Sequence, residues 1–103
     1  MNTLRIALAN IRFPQTAEES VTLAEQAIAE ASLERADIIC FPECFVPGYR
    51  GPGKSVPPPD PAFLERAWST VARAAAKANV AVVLGTERVV NSALPLASAL
   101  LIN

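Results

Sequence analysis

Along the first residues, large apolar side chains alternate with small or charged ones: Leu4, Ile6 and Leu8 against Arg5, Ala7 and Ala9. A period of two is that of a strand with one face of large residues. Asn10 to Gln15, with Pro14, form the exit loop, and the period then changes. Val21, Leu23, Ala24, Ala27, Ile28 and Ala31 fall on one half of a helical wheel, with Thr22, Glu25, Gln26, Glu30 and Ser32 on or beside the other. The spacing of Thr16-Ala17-Glu18-Glu19 predicts a capping box, with Thr16 as N-cap and Glu19 reaching back to the Thr16 amide. This helix runs to about Arg35. Ile38-Ile39-Cys40-Phe41 then reads as a strand buried on both faces, ended by Pro42, which has no N–H for a ladder.

A loop from Cys44 to Pro59 follows, rich in glycine and proline. Loops this long inside a compact domain are more often functional than mere connectors, with disorder the alternative for Val56 to Pro59. Asp60 as N-cap and Pro61 as first helical residue announce a second helix. Phe63, Leu64, Ala67, Trp68, Val71, Ala74, Ala75 and Ala78 share its apolar face, and Asn79 is a left-handed stop. Val80 to Leu84 is a third buried strand, with Gly85-Thr86-Glu87 after its carboxyl end. Arg88 to Ser92 turn, and Leu94 to Ile102 form a fourth strand, antiparallel to the third.

The order β-α-β-loop-α-β-β predicts an α/β fold, a mainly parallel sheet with helices packed on it. Right-handed crossovers place both helices on the same face. The second and third strands are apolar on both faces, so the other face needs a cover that no element here supplies. The sequence stops at Asn103 straight after an apolar strand and reads as cut short.

With 103 residues the chain is one domain at most, able to bury roughly two thirds of its unfolded surface. A hydrophobic share of 51% fits a globular protein, and a net charge of −1 without a basic cluster argues against nucleic acid or anionic membrane as partners. The absence of histidine removes Ser-His-Asp and Cys-His arrangements and most zinc sites. Cys40 and Cys44 are too few for a disulfide scaffold and suggest a reducing, cytoplasmic compartment. Leu4 to Ala9 is too short for a signal peptide and carries Arg5. No stretch approaches the length of a transmembrane helix.

Against this background one carboxylate stands out. Glu43 follows the buried strand 38–41 at its carboxyl end, where ligands bind in open α/β sheets. Burial against Phe41, Phe45 and Tyr49 would keep it basic enough to act as a catalytic base, the alternative being a solvated loop carboxylate. Cys44 is adjacent, but neighbouring residues on an extended segment point in opposite directions, so it reads as a small apolar filler. Cys40 reads as core, and metal binding by the two lacks partner ligands. Lys54 reads as a solvated lysine and Trp68 as core. Glu87, at the same sheet edge as Glu43, is a candidate to orient substrate or a catalytic lysine. Tyr49 and Arg50 are candidates to line a substrate entrance or to pin the loop.

Leu4-Arg5-Ile6-Ala7-Leu8-Ala9, Ala36-Asp37-Ile38-Ile39-Cys40-Phe41-Pro42-Glu43, Pro47-Gly48-Tyr49 and Val80-Ala81-Val82-Val83-Leu84-Gly85-Thr86-Glu87 occur in this order. In that order and spacing they resemble the start of the nitrilase superfamily, the carbon–nitrogen hydrolases. The resemblance implies that residues 1–103 are the N-terminal part of an α-β-β-α sandwich, whose remaining half would cover the bare sheet face. It also implies hydrolysis of a small amide, nitrile or carbamoyl C–N bond by a Glu-Lys-Cys triad, without metal or cofactor. Only the glutamate carries over, onto Glu43. The triad lysine and cysteine are expected outside these residues, so the chain alone is expected to be inactive. The expected partners are the small-molecule substrate and further copies of the chain in a homo-oligomer.

Two rival readings are of other kinds. A flavodoxin-like binding module calls for a phosphate-cradling turn after the first strand, yet Asn10 to Gln15 contain no glycine. A catalytically silent piece associating through the uncovered sheet face is the other.

Overall fold

The computed structural model describes residues 3–90 and 94–103. Its elements are β1 (Ile6–Leu8), α1 (Ala17–Leu33), β2 (Ile38–Cys40), α2 (Pro61–Ala78), β3 (Ala81–Arg88) and β4 (Leu96–Ile102). The sheet order is β1-β2-β3-β4, with β1, β2 and β3 parallel and β4 antiparallel to β3. The expected order and strand directions are those observed. Of the expected turn Arg88 to Ser92, Asn91 and Ser92 lie outside the described residues, and Arg88 is the last residue of β3.

Both helices start where their side chains can replace the missing backbone partners. Asp60 Oδ1 accepts from the Ala62 and Phe63 amides, and Asn79 ends α2 in the left-handed region at φ 56°. Thr16 Oγ1 accepts from the Glu19 amide at 2.9 Å. The reciprocal bond differs from the capping box expected: Glu19 Oε1 takes the Gln15 amide, not that of Thr16. Arg12 in the exit loop explains the shift, since its guanidinium holds both Glu19 oxygens at 2.9 Å. α1 stops two residues early because Arg35 adopts a positive φ of 60°, and the Ala36 amide returns to Ala31 O.

The core lies between the helices and one side of the sheet. Ala24, Ala27, Ile28 and Ala31 of α1 and Ala67, Val71 and Ala75 of α2 meet Ile39, Val82 and Leu84. Each fully buried Ile28, Leu64 or Leu84 contributes about 1.5–3 kcal/mol relative to exposure. Small alanines let the helices approach closely, and Ser32 Oγ donates to Ala78 O between them.

Strand alternation sends the neighbouring row, Leu8, Cys40, Val83 and Leu101, to the side away from the helices. Ile6, Leu8 and Leu101 are 54%, 76% and 67% exposed there. Cys40, expected in the core, is half-buried on this open face because its register position is the one that turns from the helices. Among the described residues no helix is long and apolar enough to cross a membrane.

All four strands differ in length from expectation: β2 ends at Cys40 rather than Phe41 and β4 begins at Leu96 rather than Leu94, while β1 and β3 differ more. β1 is confined to three residues, although the Asp37 amide donates to Arg5 O and the Ala9 amide to Cys40 O at its ends. β3 continues through Gly85, Thr86 and Glu87 because these residues pair with Ala99, Ser98 and Ala97 of β4. The segment expected after the strand's carboxyl end is therefore the strand's own extension beyond β2, and it builds the site.

Candidate functional site

β2 ends at Cys40, but the chain stays beside β3 for six more residues. The Phe41 amide donates to Val83 O at 2.9 Å, and the Val46 amide donates to Gly85 O at 3.2 Å. Between these two bonds the chain has more residues than the ladder can use, so it bulges into a turn closed by Phe45 N–H to Pro42 O. Cys44 takes a left-handed φ of 49° in that turn. The turn rests on Gly85, where an added Cβ would fall 1.8 Å from Pro42 O and 3.0 Å from Cys44 N. Only a residue without a side chain permits this approach.

Glu43 stands in this turn, at the carboxyl end of β2, and its side chain is exposed. The expected enclosure by Phe41, Phe45 and Tyr49 is not found. The turn sends Phe45 and Val46 inward, where Phe41 and Phe45 pair with ring centroids 5.5 Å apart, and it leaves the carboxylate outside. Beside the turn, Leu8, Ala9, Asn10, Cys40, Phe41 and Pro42 line a shallow concavity across the carboxyl ends of β1 and β2. A larger groove of about 510 Å³ opens between α1 and α2, with Leu33 and Lys77 in its lining. It reaches the C-terminal ends of the helices, the opposite end of the parallel strands from Glu43, so the smaller concavity is the relevant one.

The residues after Glu43 are held by the end of β3. Thr86 Oγ1 donates to Val46 O at 2.8 Å and accepts from Trp68 Nε1 at 3.0 Å, tying the loop to α2. Trp68 is thus half-buried with a polar partner, not simply core. Cys44 Sγ donates to Thr86 O at 3.4 Å. Burial pushes the Cys44 thiol up, and the charges of Glu87 and Glu43 add to this, so it is kept protonated as a filler would be.

Glu87 is only 2% exposed, and its two oxygens accept from Arg50 Nε at 3.0 Å and Nη2 at 2.8 Å. These bonds to Glu87 raise the Arg50 guanidinium above its ordinary value. Arg50 Nη1 also donates to Val56 O, so this side chain pins two points of the loop. Tyr49 is half exposed, with its ring folded over Gly51, where a Cβ would meet Cε2 at 2.7 Å. Exposed Lys54 lies with Nζ 4.5 Å from the Phe13 ring centroid. Among the described residues no three His, Cys, Asp or Glu side chains are grouped to hold a metal ion.

The structure therefore places Glu43, Tyr49 and Glu87 at one edge of the sheet, but in three settings: solvent, loop rim and interior. Gly85 and Thr86 were missed as site-building residues. Their signal was a glycine and a threonine directly continuing an apolar strand.

The family model described as carbon-nitrogen hydrolase matches residues 5–103. Among solved structures, the crystal structure of a glutamine-dependent NAD(+) synthetase from Cytophaga hutchinsonii is similar, with a TM-score of 0.66 and 25% sequence identity. The match covers 98% of this chain and 17% of that one, so the chain spans a small part of that neighbour's length. None of the curated proteins matches it in sequence.

Proposed function

This chain belongs to the carbon–nitrogen hydrolase family, and from that premise we propose that the protein hydrolyses the C–N bond of a small amide or nitrile, with Glu43 as general base. The observation that carries the reading is the position of Glu43. It is a free carboxylate at the carboxyl end of a parallel strand, beside a concavity, in a turn that Gly85 and Thr86 fix in place. A thiol attacking an amide carbon must lose its proton, and the departing nitrogen must gain one. A carboxylate between the two accepts the first proton and returns it to the departing nitrogen, which leaves as ammonia when the C–N bond breaks. It then takes a proton from the water that releases the acyl group.

The thiol is assigned to a residue other than Cys40 and Cys44, since Cys44 is buried with a raised pKa and Cys40 belongs to β2. A lysine ammonium completing a Glu-Lys-Cys triad is likewise assigned outside this stretch, and the 103 residues by themselves are read as inactive. No cofactor is required by this chemistry. Tyr49, at the loop rim, is assigned to the substrate entrance.

The similar NAD(+) synthetase is glutamine-dependent, which makes the glutamine side-chain amide the first substrate to try. Ammonia release from glutamine, simple amides and nitriles tests the proposal, first with this chain and then with any longer protein that contains it. Rapid release by the 103 residues alone, abolished by Glu43→Gln, would show that they carry their own nucleophile.

A second reading is favoured by the bare sheet face with Ile6, Leu8 and Leu101 exposed: association through that face, including into a homo-oligomer. Two free cysteines accord with a cytoplasmic home.

A further inference from the structure

Glu87 invites a role at the substrate because it ends β3 beside Glu43, but its geometry gives it a different one. A carboxylate with 2% exposure, engaged on both oxygens by one guanidinium, presents nothing to a ligand. What it holds is the loop. Arg50 reaches from Glu87 to Val56 O, while one residue earlier on β3 Thr86 holds Val46 O and the Cys44 thiol. Glu43 directly precedes this tethered run, and the backbone bond from Phe45 to Pro42 passes around it.

We propose that Arg50 and Glu87 are positioning residues for Glu43, a bidentate ion pair that locks the loop after β2 onto the end of β3 and so fixes where the base stands. The tether follows from the contacts alone. Its link to catalysis rests on reading Glu43 as the base. Planar, two-point pairing fixes orientation as well as distance, which a single contact from a lysine would not. A misplacement of a reacting group by about 1 Å can cost about a hundredfold in rate.

The test follows backbone hydrogen exchange in this chain carrying Glu87→Gln, Arg50→Ala or Arg50→Lys, and kcat and KM for glutamine in active protein with the same changes. The Phe45, Val46 and Gly48 amides are expected to exchange about tenfold faster or more in the first two variants, with Ala27 and Ile28 in α1 unchanged. Arg50→Lys is expected to lie between. In the active protein kcat falls by about ten- to a hundredfold while KM stays within about twofold. Unchanged exchange at residues 45–48, or kcat retained in Glu87→Gln, overturns the proposal. Should Glu87→Gln also accelerate α1, the milder Arg50→Lys decides by the same readout. Loss of activity in Glu43→Gln with normal kcat in Glu87→Gln refutes the positioning and leaves the base intact. Full activity in Glu43→Gln refutes the base, while exchange still decides the tether.

Discussion

At Gly85 the missing side chain matters more than any that is present. Pro42 O occupies the space where a Cβ would lie, so Gly85→Ala must push the turn bearing Glu43 off the sheet. Forcing a methyl against backbone costs about 1–3 kcal/mol. Urea denaturation is expected to show that loss, with ammonia release falling more steeply than stability alone explains. Arg50→Ala has a different cause. It leaves the Glu87 carboxylate interior and unpaired, yet Arg50 is itself 29% exposed. The expected cost lies between surface and buried pairs, about 2–3 kcal/mol by the same measurement.

Glu19 supplies a residue-level test by pH. The Arg12 guanidinium and then the Gln15 amide hold its carboxyl at about 2, below an ordinary value of 4.5. Because the folded value is the lower one, the contribution is complete above about 4.5 and fades as pH falls through about 2. An NMR titration of the Glu19 carboxyl is expected to show a midpoint near 2, moving back toward 4.5 in Arg12→Ala. An ordinary midpoint in the unsubstituted chain would show that the Arg12 contact is not maintained in solution.

Among the elements, α2 was the most legible and β3 the least. Asp60, Pro61 and Asn79 each act within a few residues of themselves, so capping and stop chemistry sufficed. Asp60→Ala is expected to cost about 1 kcal/mol, read from the urea midpoint. The apolar run predicts β3 only as far as Leu84, and Gly85 directly follows it. The reason for a glycine there is a contact with Pro42, 43 residues away, which no local pattern carries. The position of Glu43 at the end of β2 was legible from the apolar run and Pro42. Its exposure was not, because the left-handed Cys44 turns the following aromatic residue inward. The Arg50–Glu87 pair was invisible for a similar reason, since two long side chains meet only after the loop has folded back.

For the molecule as a whole, the helix side is closed and the sheet's other face is open. Ile6, Leu8 and Leu101 form an exposed apolar surface of the kind that binds partners or promotes aggregation. This chain is expected to bind an apolar fluorescent dye and to self-associate with rising concentration, and Leu8→Ser with Leu101→Ser to reduce both. A monodisperse monomer with little dye binding would argue against association through this face.

The central claim, that Glu43 moves the proton in C–N hydrolysis, is tested most directly by steady-state ammonia release in an active protein containing this chain, before and after Glu43→Gln. The substitution keeps shape and removes only the ionisable group, so kcat is expected to fall by about a hundred- to ten-thousandfold with the fold intact. A kcat unchanged in Glu43→Gln would contradict the account.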